Sequence, residues 1–229
     1  MKKAVVLVSG GLDSATTLAI AKNQGFSCYA LSFDYGQKNA IELEAAKEIC
    51  KKMGVVEHKI IKIGVGELGG SALTDNNIDI PTYVEEDSIP VTYVPARNTI
   101  FLSIALGYAE VLDSQDIFMG ITSKDYSGYP DCKPEFIKAF TDLANIATKA
   151  GIEGKPFVIH TPLIYLKKSE VIQRGVELGV DFSKTITCHK PSTEGLACGE
   201  CDGCYYRKLG FKEAHLVDAI PYARTAAAV

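Results

Sequence analysis

Five apolar residues, Ala4-Val5-Val6-Leu7-Val8, run directly into Ser9-Gly10-Gly11-Leu12-Asp13-Ser14 and then into the helix-forming stretch Ala15–Asn23. An uninterrupted apolar run of that length is the mark of a strand buried on both faces, which requires helices on either side of a parallel sheet. Further segments follow the same alternation. Strands are predicted over Ser27–Phe33, Val55–Ile63, Asp116–Met119 and Phe157–His160, and helices over Asn39–Met53, Arg97–Leu112, Pro134–Lys149 and Lys167–Leu178. This βαβαβ…αβαβα order predicts an α/β fold with a doubly wound, mostly parallel sheet. Ligands of such sheets bind beyond the carboxyl ends of the strands, so the loops after Val8, Phe33 and Met119 are expected to converge. The pattern breaks after Ser183. The expected organisation is an α/β domain over residues 1–183 and a small segment over 184–229, helical in part and packed on the first.

The loop Ser9–Ser14 has the chemistry of an anion cradle. Glycines admit a close ligand, free N–H groups and the positive end of the next helix face it, and Ser9 and Ser14 add hydroxyls. Phosphate is the expected anion. A Walker loop would place a lysine immediately before its closing Ser or Thr to reach the β- and γ-phosphates; here the residues after Gly11 are Leu-Asp-Ser-Ala-Thr-Thr. Transfer of a γ-phosphoryl group is therefore not the natural chemistry. Asp13 either meets the phosphates through Mg²⁺ or caps the helix. A second glycine pattern, Gly64-Val65-Gly66-Glu67-Leu68-Gly69, matches a dinucleotide fingerprint, but loop-forming residues follow where a helix should open, so it is read as structural.

Cys188, Cys198, Cys201 and Cys204 crowd into a short stretch of a chain with seven cysteines. Four thiolates satisfy a closed tetrahedral Zn²⁺ site, and Gly199 and Gly203 allow its tight turns. An iron–sulfur cluster would expect a further cysteine where Lys208 stands. Persulfide chemistry is the other alternative, and His189 could replace one ligand. An odd cysteine count suits a reducing compartment better than a secreted disulfide framework. No apolar stretch approaches the length of a membrane span, and the run after Met1-Lys2-Lys3 is shorter than a signal sequence requires. A cytoplasmic protein with no membrane partner is expected. Lys and Arg total 24 against 28 Asp and Glu, a net of −4, which argues against a long nucleic acid as partner.

The Ser-Gly-Gly-x-Asp-Ser loop resembles the PP-loop of the ATP pyrophosphatases. Combined with Phe33-Asp34-Tyr35-Gly36-Gln37, Pro95-Ala96-Arg97-Asn98, Asp125–Cys132, Thr161-Pro162-Leu163 and the four cysteines, the chain resembles the 7-cyano-7-deazaguanine synthase family over nearly its whole length. The resemblance implies an adenine nucleotide alpha hydrolase-like, Rossmann-like fold. It implies an ATP-dependent ligase of queuosine biosynthesis that adenylates a carboxylate, converts it with ammonia to an amide, adenylates the amide and releases a nitrile, with AMP and pyrophosphate as by-products. It further implies ATP with Mg²⁺, structural Zn²⁺ and a homodimer. The residues that would bind ATP are Val8, Ser9, Gly10, Gly11, Leu12, Asp13 and Ser14, with Leu31 and Phe33 presenting backbone to adenine. Asp13, Arg97 and Lys167 are the catalytic candidates, Arg97 and Lys167 reaching phosphate oxygens; a surface ion pair and a solvated lysine are the plainer roles. Asp125 and Asp131 would accept from the guanine-like edge of the base and Tyr126 and Tyr129 would stack on it, unless the segment is simply a turn. The alternative is a PP-loop sulfur transferase acting on tRNA.

Overall fold

The computed structural model describes residues 1–85, 88–123 and 128–223. The opening run forms β1 (Lys3–Leu7), the middle strand of five. Its neighbours are β2 (Ser27–Asp34) and β4 (Asp116–Phe118); β3 (Glu57–Lys62) and β5 (Val158–His160) complete the sheet in the order β3-β2-β1-β4-β5, and every pairing is parallel. Leu7 lies opposite Leu31, and Val6 opposite Phe118.

Side chains of a strand alternate between faces, and β1 shows what this does. Ala4, Val6 and Val8 enter one core with Leu12 and Leu18 of α1 (Leu12–Asn23), Ile49 of α2 (Ile41–Met53) and Val171 of α6 (Lys168–Glu177). Val5 and Leu7 enter the other with Leu102 of α3 (Arg97–Val111) and Phe140 of α4 (Pro134–Ala147). Helices thus cover both faces, and strand order reverses at β1, which places the binding crevice between β1 and β4. The sequence-based elements are recovered with ends shifted by a few residues. The helix predicted to begin at Asn39 begins at Ile41, because the buried Asn39 amide donates to the Cys188 carbonyl at 2.9 Å instead. The one predicted over Pro134–Lys149 stops at Ala147. Thr148 is extended, and its hydroxyl accepts from the Gly151 N–H to start the short α5 (Lys149–Ile152).

The second glycine pattern forms a 3₁₀ turn over Gly64–Leu68, and Gly66 donates its N–H to the Tyr35 carbonyl at 2.7 Å. It braces the loop after β2 and opens no α-helix. Beyond a 3₁₀ turn at Phe182–Lys184, the cysteine-rich stretch leads into α7 (Asp202–Glu213), which packs on α6.

Candidate active site

The loop between β1 and α1 is held by its own serines. The Ser9 N–H donates to Ser14 Oγ at 3.2 Å, the Gly11 N–H to Ser9 Oγ at 3.3 Å, and Ser14 Oγ to the Gly11 carbonyl at 3.0 Å. Gly10 has φ of +90°, and a Cβ there would lie 2.1 Å from the Glu42 carbonyl oxygen. Glycine is required by both conformation and space. From the other side the Ile186 N–H donates to the Gly10 carbonyl at 2.9 Å, so the lead-in to the cysteines is pinned to the loop.

A cleft of about 270 Å³ opens above this loop. Val8, Ser9, Gly11, Leu12, Asp13 and Ser14 line its floor, and Gly10 shapes it from behind. Leu31, Phe33, Met119 and Ile121 form an apolar wall, with Phe101 stacked on Phe33 at a centroid distance of 4.0 Å. The loops after β1, β2 and β4 therefore meet at one edge. The apolar slot suits a flat aromatic ring, and the adjoining floor suits an anion.

Lys168 supplies the cation. Its ammonium lies 2.8 Å from both carboxylate oxygens of Asp13, and its side chain is only 8% exposed. The stem is fixed by α7: a Cβ on Gly210 would approach Lys168 Cγ to 2.5 Å. Lys167, the lysine singled out from sequence, stands exposed at the cap of α6, where its backbone N–H donates to Glu170 at 2.7 Å. The helical stripe carries the signal that separates the two. Lys168 shares a face with the buried Val171, Ile172 and Gly175, and Lys167 does not.

Arg97 opens α3 on the cleft wall and donates from Nη1 to the Tyr35 hydroxyl at 3.3 Å. Burial works against its charge, but Tyr35, Tyr129 and Asp131 outweigh that and hold its pKa above the ordinary value. Asp131 closes the bare N-terminus of α3, accepting from the Asn98 N–H at 3.1 Å, while its own carbonyl accepts from the Asn98 amide at 3.2 Å. Tyr129 lies on the wall, its hydroxyl 2.8 Å from Thr92 Oγ1, which in turn donates to Asp202 at 3.1 Å. Asp125 and Tyr126 lie outside the described residues.

Glu42 lines the cleft beside the loop and was not singled out from sequence. It shares a helical face with Ala45, Ala46 and Ile49, all buried, and that placement is its signal. It accepts from the Gln37 amide at 3.0 Å, and burial pushes its carboxyl up to about 7.

The Sγ atoms of Cys188, Cys198, Cys201 and Cys204 all lie within 4.8 Å of one another, and those of Cys198 and Cys204 are 3.9 Å apart. Metal–sulfur bonds of about 2.3 Å in a tetrahedron put sulfurs about 3.8 Å apart. Backbone N–H groups face these sulfurs: Cys198 donates to Cys188 at 3.2 Å, and Glu200 and Cys201 donate to Cys198 at 3.4 Å. Such donors offset thiolate charge around a metal. The donor set therefore fits a bound metal ion. His189 pairs with Asp202 at 2.7 Å and faces the cleft.

Residues 3–215 match the family described as "Queuosine biosynthesis protein QueC". Relatives each named 7-cyano-7-deazaguanine synthase come from Coxiella burnetii (60% identical, covering 97% of this chain and 98% of the relative), Legionella pneumophila (58%, covering 98% of each) and Methylococcus capsulatus (57%, covering 97% and 99%). Among solved structures, the chain resembles NMN synthetase from Francisella tularensis (TM-score 0.50, 20% identical, 94% of this chain and 78% of that one). It also resembles a predicted tRNA methyltransferase subunit from Methanocaldococcus jannaschii (TM-score 0.51, 16% identical, 99% and 94%). At those identities the two structures speak for the fold alone. Among the described residues no helix is long and apolar enough to cross a membrane.

Proposed function

The chain belongs to the queuosine biosynthesis protein QueC family, and we propose that it is an ATP-dependent carbon–nitrogen ligase converting 7-carboxy-7-deazaguanine and ammonia to 7-cyano-7-deazaguanine. The observation that carries the reading is the phosphate loop without a Walker lysine, joined in one cleft to an apolar slot and to Lys168 and Arg97. ATP seated with adenine in the slot and its outer phosphates on the loop presents its α-phosphorus to the middle of the cleft. Attack there by a carboxylate oxygen yields an acyl adenylate and pyrophosphate.

The chain's residues then act by position and charge. The loop N–H groups and serine hydroxyls hold the departing pyrophosphate. Lys168 turns its ammonium from Asp13 to phosphate oxygens, and the Asp13 carboxylate would hold the Mg²⁺ that accompanies ATP, which would supply charge stabilisation to the phosphates. The Arg97 guanidinium offsets charge growing on the transferred phosphate. The wall of Tyr129 takes the deazaguanine ring. Zn²⁺ is the metal proposed for the four cysteines, where a closed thiolate set supplies folding energy and no chemistry.

The rival sulfur-transfer reading needs a reactive thiol. Cys132 is the cysteine on the cleft wall outside the cluster, and burial pushes its thiol up to about 12. A cytoplasmic homodimer acting on small molecules, with no direct nucleic-acid partner, completes the proposal. One incubation tests it: purified protein with ATP, Mg²⁺, ammonium and 7-carboxy-7-deazaguanine, read by mass spectrometry. AMP together with the nitrile is the expected result; ADP, or AMP with no base product, refutes it.

A further inference from the structure

Nitrile formation makes a demand that adenylation does not. Ammonia's nitrogen must lose every proton it carries, one on forming the amide and two on the way from amide to nitrile. A proton acceptor is needed beside the reacting carbon, and it must discharge to solvent between rounds.

Among the described residues lining the cleft, the carboxylates are Asp13 and Glu42. Asp13 is clamped through both oxygens by the Lys168 ammonium, and the phosphates it faces are anionic. Glu42 is held differently. Its carboxylate accepts from a neutral amide, that of Gln37, whose own position is set by the Phe33 carbonyl at 3.1 Å and the Tyr35 N–H at 2.8 Å. The backbone of Glu42 rests against Gly10, so its side chain leaves α2 at the rim of the phosphate loop. His189, the imidazole of the same cleft, is engaged by Asp202 and belongs to the cysteine knuckle.

We propose that Glu42 is the catalytic base that takes the protons from the attacking nitrogen in amide formation and in dehydration to the nitrile. This rests on the ligase reading above. In the first round the nitrogen lone pair forms the C–N bond. The carbon–oxygen bond to the adenylate breaks with its electron pair leaving on AMP, and one N–H proton passes to the Glu42 carboxylate. In the second, the amide oxygen attacks ATP and pyrophosphate leaves. Adenylation leaves a C=N bond; the adenylated oxygen then departs as AMP while one N–H electron pair completes the C≡N bond and the other becomes the nitrogen lone pair, one proton going to Glu42 and one to solvent. Nothing is oxidised or reduced. Burial raises the affinity of Glu42 for a proton toward neutrality, against the pull of Arg97 from α3, the Gln37 amide and His189 from the cysteine segment, which suits a base that must both accept and release at physiological pH.

The test compares wild-type protein with Glu42→Gln in reactions containing ATP, Mg²⁺, 7-carboxy-7-deazaguanine and either ammonium or hydroxylamine. Hydroxylamine traps the acyl adenylate as a hydroxamate and sheds its proton to water far more readily than ammonia does. Glu42→Gln is expected to keep forming hydroxamate while amide and nitrile fall about 100-fold or more. Amide formation by Glu42→Gln within about threefold of wild type overturns the proposal. So does loss of hydroxamate in step with amide in a variant that melts like wild type, because Glu42 would then serve ATP binding. A Glu42→Asp variant, which keeps the charge but draws it back from the carbon, guards against misfolding; it too must trap hydroxamate and be slow to form amide. Wild-type protein that yields neither hydroxamate nor amide overturns the ligase reading itself, which separates that failure from the failure of Glu42.

Discussion

Adjacent lysines at the start of α6 provide the sharpest test of the cleft. Lys168 is buried against Asp13; Lys167 projects to solvent. Replacing Lys168 by methionine keeps a stem of similar bulk against Gly210 and removes only the ammonium. Two electrostatic losses follow. The incoming phosphates lose a cation, and Asp13 is left as a bare carboxylate facing them. Unit charges about 4 Å apart at an effective dielectric near 20 interact by about 4 kcal/mol. Deleting one preorganised donor to transition-state charge costs about 10²–10³-fold in kcat. We expect kcat/KM of Lys168→Met to fall by about 10²–10³-fold, measured as pyrophosphate release at subsaturating ATP. Adding Asp13→Asn should cost less than the product of the two single losses, because the two side chains form one coupled pair. Lys167→Met should stay within about twofold of wild type, as befits an exposed side chain. A loss below about fivefold in Lys168→Met, or an equal loss in Lys167→Met, refutes the assignment.

Arg207 is 1% exposed and holds Asp218 through two bonds of 2.8 and 2.9 Å, with further bonds to Thr185 Oγ1 at 2.7 Å and the Phe182 carbonyl at 2.9 Å. Arg207→Met strands a buried carboxylate and should cost about 3–5 kcal/mol in urea denaturation; a cost under about 1 kcal/mol contradicts it. Gly10→Ala drives a methyl into the Glu42 carbonyl at a positive φ, so ATP binding by calorimetry should vanish; binding at wild-type strength would mean that α2 yields freely. Burial pushes the thiols of Cys28 to about 11 and of Cys50 and Cys132 to about 12. Alkylation of metal-loaded protein at pH 8 should therefore spare all three, and rapid labelling of Cys132 would reopen the sulfur-transfer reading. The same shifts give a sign for stability. The fold favours the neutral thiols, while an unfolded chain ionises its own from about pH 8.5, so stability should fall as pH rises through that value.

The parts of the fold legible in the sequence are those where one kind of surface surrounds an element. β1 is apolar on every side, and it could be read at once. The same holds for the loop that follows, because its glycines and serines answer to the backbone and to an anion rather than to distant partners. What escaped the sequence depends on which way a side chain turns. Lys167 and Lys168 are identical as letters, and only the helical phase of Val171 and Ile172 separates them. Glu42 stands among other acids at the start of α2, and only the phase of Ala45 and Ile49 turns it toward the cleft. Asp131 has the chemistry to bind a base edge, but the first N–H groups of α3 have no carbonyl within their own helix, and Asp131 satisfies one of them. That demand arises only once α3 has been folded against the segment before α4.

The cysteine knuckle can be understood through what it touches. Ile186, Thr187, His189, Gly203 and Tyr206 line the cleft alongside the phosphate loop, and Gly210 fixes the stem of Lys168. Ile186 also bonds directly to Gly10. The described cysteine segment has a small apolar cluster built largely of its own cysteines, with Ala197. Such a cluster is small, so a metal held by the four cysteines would add its binding energy to the packing of α7 on α6 in ordering the segment. The coupling runs through direct contacts: four cysteines set the start of α7, α7 presents Gly210 to α6, and α6 carries Lys168 to Asp13. A metal held by the four cysteines would therefore help decide where the Lys168 ammonium sits. It follows that chelation acts first on the affinity for ATP, through Lys168 and the lost wall, while the two cores packed on β1 keep the sheet and α1 folded.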